Sequence, residues 1–260
     1  MSNVISFDEF QINKPVRTIN YGTIYIAYWK KKKSQEVALK YLSETEVDIN
    51  DILKEVREIK EKTHENVTKI LGVTKDEEKQ AVVIVLQKTD SNLREYLKGK
   101  TDDKSLELRD KLKLAYEISS GLNFLHLSGY VHRNLAVIMD PRLSIILNET
   151  QPLNTLKNTI PYVAPEILEN INNIPNFKSD VYSLGVIFWE ISSGHEPFQN
   201  YDGMTLIQSI INNNKRGSPE DIPNDYVGLY TKCLDSNPDL RPNTQNICLK
   251  LNDMLKENLK

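Results

Sequence analysis

Residues 179–193 read SDVYSLGVIFWEISS, and this stretch indicates the fold class of the chain most directly. From residue 180 onward it is apolar on almost every side, which is typical of a helix that is buried all round. Its longest apolar run, residues 184–189, is far shorter than the roughly 20 residues needed to span a bilayer. We therefore expect this helix to be buried in a globular domain.

The sequence before this helix changes character twice. Residues 16–40 alternate with period two, which predicts a hairpin whose solvated tip is the lysine run at residues 30–33. A helical period covers residues 49–62, and the β-branched run at residues 81–86 predicts a buried strand. A further helix should bury one face, which consists of Leu112, Ala115, Ile118, Ser119, Leu122 and Leu125. The pattern predicts a small strand-rich lobe with one helix, followed by a larger helical lobe.

Composition excludes several classes of protein. The 260 residues are 39% hydrophobic and 27% charged, which is ordinary for a globular chain. The 33 basic and 36 acidic residues give a net charge of -3, which argues against a nucleic-acid partner. Two cysteines cannot build a disulfide framework, and the first residues do not resemble a signal peptide. We expect a reduced, cytoplasmic location without stable membrane insertion.

Five motifs occur in an order and spacing that resemble the protein kinase superfamily, with its tyrosine-kinase-like group as the nearest match. They are Val37-Ala38-Leu39-Lys40, Val131-His132-Arg133-Asn134-Leu135, Ala164-Pro165-Glu166, the start of the buried helix at residues 179–185, and Asn237-Pro238-Asp239-Leu240-Arg241-Pro242. The resemblance covers residues 10–255. It implies a two-lobed α+β fold, with an antiparallel-sheet N-lobe of one helix at about residues 10–87 and a mainly helical C-lobe at about residues 88–255.

The resemblance implies a nucleotide site whose elements are only partly present. The glycine-rich loop should contain three glycines, and only Gly22 matches. Lys40 corresponds to the lysine that pairs with phosphate, and Glu55 to the glutamate that holds it; an ordinary structural ion pair is the equally weighted alternative. Apolar walls of an adenine pocket, or simple lobe packing, would come from Ile24, Ala38 and Val85.

The catalytic groups of the family are absent at the corresponding positions. Asn134 stands where the family has the aspartate base, and an amide cannot act as a general base at neutral pH. The metal-binding asparagine falls at Met139, or at Ala136 if a gap of three residues is allowed. The second metal ligand falls at Leu147, and none of these three side chains offers the oxygen that Mg²⁺ requires.

The framework contacts of the family are expected to remain. Glu166 and Arg241 should form a buried ion pair, and Asp180 should hold the backbone of the catalytic loop. Asn148 stands where the family has a phenylalanine, so we expect the apolar stack between the lobes to be interrupted.

These residues favour a pseudokinase that acts as a signalling scaffold or allosteric binding module. We expect at most ATP binding without a metal, no magnesium, and protein partners whose identity the sequence does not give. The alternative is a weakly active or unconventional kinase for Ser/Thr or Tyr that uses Lys40 and a rearranged metal site with Glu149. A third interpretation is a decayed or mis-spliced copy, since the losses cluster at residues 134–149.

Overall fold

A computed structural model describes residues 4–19, 22–42, 49–60, 62–89, 93–101, 106–133, 135, 160–170, 172–199, 201, 203–212, 217, 219 and 221–258. At residues 13–19, 22–23, 51, 55, 58–60 and 100–101 only the backbone is described. The described residues fall into two compact units, one up to residue 89 and one from residue 93 onward.

The first unit is built on an antiparallel sheet of five strands. The strands are β1 (Phe10–Ile19), β2 (Gly22–Trp29), β3 (Gln35–Tyr41), β4 (Ile70–Asp76) and β5 (Ala81–Gln87). Their spatial order is β1-β2-β3-β5-β4, so β1 and β4 form the two edges of the sheet. The predicted hairpin is confirmed as β2 and β3, and its lysine tip forms one 3₁₀ turn at Lys30–Lys32.

The helix of the first unit, α1 (Ile49–Lys60), lies between β3 and β4 in the chain. Ile52, Leu53 and Val56 are buried, whereas Lys54 and Arg57 are exposed. The apolar residues recur at a spacing of three to four, so one stripe of the helix is buried and the opposite stripe is solvated. The predicted helix is confirmed, and it ends two residues earlier than its period suggested.

The described residues of the second unit form helices joined by loops, with no strand among them. Its helices are α2 (Leu93–Thr101), α3 (Leu108–Leu127), α4 (Pro165–Glu169), α5 (Phe177–Ser193), α6 (Gly203–Ile211), α7 (Asn224–Cys233) and α8 (Thr244–Glu257). All six residues of the predicted apolar face of α3 are buried. In the described part of the chain, no helix is long and apolar enough to cross a membrane.

Helix α5 is the centre of the second unit. Asn176 caps its start by accepting hydrogen bonds from the amides of Lys178 and Ser179, and Gly194 ends it with a left-handed φ of 70°. A positive φ is adopted by glycine without steric cost. All residues of α5 from Ser179 to Phe188 are buried, which confirms the prediction of a buried helix, whereas Phe177 at its start is 41% exposed. The α+β class expected from the resemblance is therefore the observed one.

Candidate functional site

The lysine of the first unit, Lys40, lies on one defined face of the sheet. It pairs with Ile24 of β2 and with Ile84 of β5, and Ala38 pairs with Leu86. Residues that face each other across an antiparallel pair project to the same side of the sheet. Lys40 is only 5% exposed, and Ile24, Ala38, Ile84 and Leu86 around it are equally buried. We call these five residues the lysine face.

Val85 lies on the opposite face of the sheet, so the prediction that it forms the back of a pocket walled by Ile24 and Ala38 is wrong. Val85 pairs with Leu39 and belongs to a buried cluster with Val37 and Tyr41. Successive side chains of a strand point to opposite faces, and a register one residue away exchanges the two sets. The run at residues 81–86 is apolar on both faces and therefore carries no alternation from which this register could be read.

Two further predicted residues are described only in part. Gly22 is the first residue of β2, and its backbone pairs with Ile19 of β1. Glu55 lies within α1, but its side chain is outside the described atoms. The ion pair between Lys40 and Glu55 therefore stays a prediction.

The catalytic-loop segment of the second unit is held by Asp180, as predicted. The backbone amide of His132 donates to Asp180 Oδ2 at 2.7 Å, and that of Arg133 donates to Oδ1 at 2.8 Å. His126 Nε2 lies 2.9 Å from the same Oδ2. Asp180 is 2% exposed, so the carboxylate is withdrawn from water and its oxygens are occupied by these groups. A carboxylate with several donors is well suited to fix a loop backbone.

The backbone of this loop is strained at Arg133, whose φ is 66°. A side chain in the left-handed region costs about 1–2 kcal/mol, and the hydrogen bond from the Arg133 amide to Asp180 helps to hold the conformation. His132 is 2% exposed, so its imidazole is packed in the interior of the unit. Leu135 is also buried. Asn134, Ala136, Met139, Leu147, Asn148 and Glu149 lie outside the described residues.

The predicted ion pair between Glu166 and Arg241 is confirmed. Two parallel hydrogen bonds of 2.7 Å join the Arg241 guanidinium to the two carboxylate oxygens of Glu166. Arg241 Nε donates to the backbone oxygen of Asp235 at 2.7 Å, and the guanidinium carbon lies 5.2 Å from the centre of the Tyr182 ring. The Arg241 side chain is fully buried, so its charge depends on these partners.

A second buried network was not found by sequence reasoning. Tyr162 Oη donates to Glu190 Oε2 at 2.5 Å, while Arg94 of α2 donates to Tyr162 Oη at 2.9 Å and to Glu190 Oε1 at 3.3 Å. Burial raises the pKa of Glu190 above its ordinary value, because the charged carboxylate loses solvation. The one available signal was a second acidic residue, Glu190, in the mostly apolar stretch of residues 179–193.

The described residues contain no group of three or more His, Cys, Asp or Glu side chains that could hold a metal ion. The positions that correspond to the metal ligands of the family lie outside the described residues.

Together, the antiparallel sheet with its buried β3 lysine and the helical unit with its Asp180 and Arg241 contacts define a protein-kinase fold. The family model for protein tyrosine and serine/threonine kinases matches residues 10–251. The chain belongs to this family.

Individual relatives are distant in sequence. A putative serine/threonine-protein kinase/receptor of Acanthamoeba polyphaga mimivirus is 27% identical over 274 residues, which are 96% of this chain and 16% of that protein. The human tyrosine-protein kinase FRK is 26% identical over 267 residues, or 96% of this chain and 52% of FRK. The transforming protein Abl of Abelson murine leukemia virus is 29% identical over 252 residues, or 91% and 33%. The chain thus spans between about a sixth and a half of these relatives.

Proposed function

We propose that this chain is a pseudokinase that acts as a signalling scaffold or allosteric binding module and binds nucleotide weakly at most. The observation that carries the proposal is a joint loss in the sequence. Asn134 replaces the catalytic base, Leu147 replaces one metal ligand, and Ala136 or Met139 replaces the other. A hard cation requires oxygen ligands, and proton abstraction requires a basic group.

The size of the expected effect supports inactivity. Removing one group that stabilises transition-state charge costs about 3–4 kcal/mol, or roughly 10²–10³ in rate. Three such groups are lost here, and although their effects are not additive, little turnover should remain. Lys40 by itself leaves most of the charge of a triphosphate uncompensated.

Contacts that hold the fold support a binding role. Asp180 binds the backbone of the catalytic loop, and Glu166 binds Arg241 without contributing to phosphate transfer. A kinase fold stabilised in this way can present surfaces to a partner protein whether or not it turns over ATP. We include in the proposal a cytoplasmic location, protein partners and no nucleic acid.

One observation favours the second candidate, a weakly active ATP-dependent kinase for Ser/Thr or Tyr. Lys40 is retained, and it shares the lysine face with Ile24 and Ala38, which would be the apolar wall of an adenine site. Glu149 would then serve as a substitute oxygen ligand for the metal. Relatives whose names describe Ser/Thr and Tyr kinases make either hydroxyl a reasonable acceptor.

A thermal-shift titration with ATP, with and without Mg²⁺ or Mn²⁺, separates these candidates. The pseudokinase should show either no shift or a small shift that does not need metal. A metal-dependent shift, together with radiolabelled phosphate transfer that disappears in Lys40→Ala, would establish the kinase and refute the proposal.

A gain-of-function variant tests whether the missing catalytic groups are the cause of inactivity. Asn134→Asp combined with Leu147→Asp restores a base and one oxygen ligand. If the missing groups are the cause of inactivity, the double variant should transfer more phosphate than the wild-type chain, whereas each single variant should remain at background. An active wild-type chain that the double variant does not improve would contradict this reasoning.

A further inference from the structure

Residues 4–9, here called the strap, lie against edge strand β4; residues 4–6 are extended and Phe7–Glu9 form one 3₁₀ turn. Val4 makes an isolated parallel bridge to Val73, and the amide of Ile5 donates to the Val73 carbonyl oxygen at 2.8 Å. An edge strand presents unpaired backbone groups that readily accept another extended segment. The strap thus uses part of the edge that β4 would otherwise offer to a second chain.

The strap also covers the face of the sheet opposite the lysine face. Ile5 and Phe7 pack against the buried cluster that includes Leu39, Tyr41 and Val85. The strap runs from β4 at one edge to Phe10, the first residue of β1, at the other edge. Its two apolar anchors are two residues apart: Ile5 lies in the extended part, and Phe7 is the first residue of the 3₁₀ turn.

The end of the strap is bound by the hairpin tip between β2 and β3. Glu9 accepts hydrogen bonds from Trp29 Nε1 at 2.9 Å and from Lys31 Nζ at 2.8 Å. Lys30 Nζ donates to the carbonyl oxygen of Asp8 at 2.7 Å. The hydrogen bond from Lys31 lowers the pKa of Glu9 and raises that of Lys31, so both groups are charged at neutral pH.

The lysine run thus has a structural use that its sequence does not reveal. The Glu9 side chain is only 13% exposed, whereas that of Lys31 is 72% exposed. The Glu9 carboxylate is therefore the buried member of the ion pair. Lys30 and Lys31 at the hairpin tip bind this end of the strap, and we call them the basic clamp. Lys32 adds a third cation, 5.8 Å from the centre of the Trp29 ring.

We propose that the strap occupies a peptide-docking site of the sheet, and that this site also receives a segment of a partner protein with the same chemistry. That chemistry is a backbone that is extended at the first apolar residue and turns at the second, two apolar side chains two residues apart, and a carboxylate two residues after the second one. The β4 edge binds the backbone, the buried cluster takes the apolar side chains, and the basic clamp takes the carboxylate and the carbonyl oxygen before it. This mode combines strand addition with side-chain pockets.

The strap is held weakly enough for a segment of a partner protein to displace it. Its contacts with the sheet are one short bridge, two half-buried side chains, an ion pair with one exposed member, and hydrogen bonds from Trp29 and Lys30. Exposed ion pairs stabilise little, so the strap keeps its place chiefly because it is tethered. A tethered segment competes at an effective concentration in the millimolar range, which a partner must overcome. The proposal goes beyond scaffold function and is independent of phosphate transfer.

The test uses the full chain and a labelled peptide of residues 1–10, MSNVISFDEF. In Glu9→Lys the strap should open, because Lys30 and Lys31 repel the new charge. Exchange of the Ile5 amide should accelerate at least about tenfold, and the peptide should bind at least about tenfold more tightly than to the wild-type chain, where the strap competes. Glu77→Lys, which alters an exposed ion pair with Lys75, is the matched control and should change neither value.

Reversing the charge of Lys31 tests whether the basic clamp is part of the peptide-docking site. Lys31→Glu should also open the strap, yet it should bind the peptide poorly and bind a peptide carrying Glu9→Lys better. Glu9→Gln keeps the shape of the side chain and replaces Glu9→Lys if that variant does not fold. Fast exchange at Ile5 without peptide binding would overturn the docking site, and unchanged protection of the Ile5 amide would overturn the clamp. Both outcomes leave the pseudokinase proposal unaffected.

Discussion

Arg241 and Glu166, 75 residues apart in the chain, are joined by two parallel hydrogen bonds of 2.7 Å. The guanidinium is fully buried and the carboxylate is 19% exposed. The pair links the 3₁₀ turn Pro238–Leu240 to helix α4 and rests on the ring of Tyr182 in α5. Three elements of the second unit therefore depend on one charged contact.

Replacing Glu166 by glutamine should destabilise the second unit strongly. One partner of a buried ion pair is removed while the other charge remains in place, which typically costs about 3–5 kcal/mol. Urea unfolding followed by far-UV circular dichroism measures the loss. As a control, Lys256→Ala removes an exposed pair with Asp253 and should change the free energy of unfolding by less than about 1 kcal/mol. An effect of Glu166→Gln as small as that of the control would contradict the structural role.

Asp180→Asn should release the catalytic-loop backbone. The carboxylate accepts from two amides and lies beside His126, whereas a carboxamide has only one accepting oxygen and turns an NH₂ group toward a donor. Amide exchange at His132 and Arg133 should become at least about tenfold faster. Protection that matches the wild-type chain at both amides would show that another contact holds the loop.

The stability of the second unit should depend on the ionisation of Glu190. Burial raises the pKa of Glu190 above its ordinary 4.5, so the folded state binds its proton more tightly than the unfolded chain does. This contribution to stability is present below pH 4.5 and is lost as the pH rises through the raised pKa. Glu190→Gln should remove this fall.

Urea unfolding at a series of pH values from 4 to 8 tests the dependence, with the wild-type chain and Glu190→Gln compared at each pH. The difference in unfolding free energy between them should shift in favour of the variant as the pH rises. A difference that is constant, or that shifts toward the wild-type chain, would show that Arg94 and Tyr162 compensate the burial of the charge.

Gly185→Ala should destabilise the packing of α5 against α7. A β-carbon at residue 185 would lie 2.8 Å from Cys233 Cβ and 3.0 Å from Leu234 Cγ, both closer than van der Waals contact. Overpacking of this kind costs about 1–3 kcal/mol. In the matched variant Gly228→Ala, a β-carbon in α7 meets nothing within 4 Å, so the helix should be unchanged or slightly stabilised. Thermal unfolding of both variants measures the contrast, and equal effects would contradict it.

The helices and strands were largely predictable, because period and burial are local properties of the sequence. The stripe of α3 from Leu112 to Leu125 and the all-round apolar character of α5 both indicated burial correctly. The pairing of β3 with β5 was not predictable to the residue. Val85 was misplaced because a strand buried on both faces has no polar residue that marks its orientation.

The candidate site was likewise only partly predictable from the sequence. Asp180 and the Glu166–Arg241 pair were expected from the resemblance, and the structure contains both. The Arg94–Tyr162–Glu190 network was missed, since its members lie on three separate elements and follow no local spacing. The hairpin tip was correctly predicted to be exposed, yet nothing local in the lysine run pointed to Glu9 as its partner.

The sequence by itself determined the kinase family of the chain and the order of its motifs, because motif order and side-chain chemistry are covalent properties. Only the tertiary structure decided which side chains share the lysine face, which carboxylates are buried and where the strap lies. Those relationships depend on strand register and on contacts between residues far apart in the chain. They are settled by simultaneous packing of the whole unit, and no local stretch of sequence encodes them.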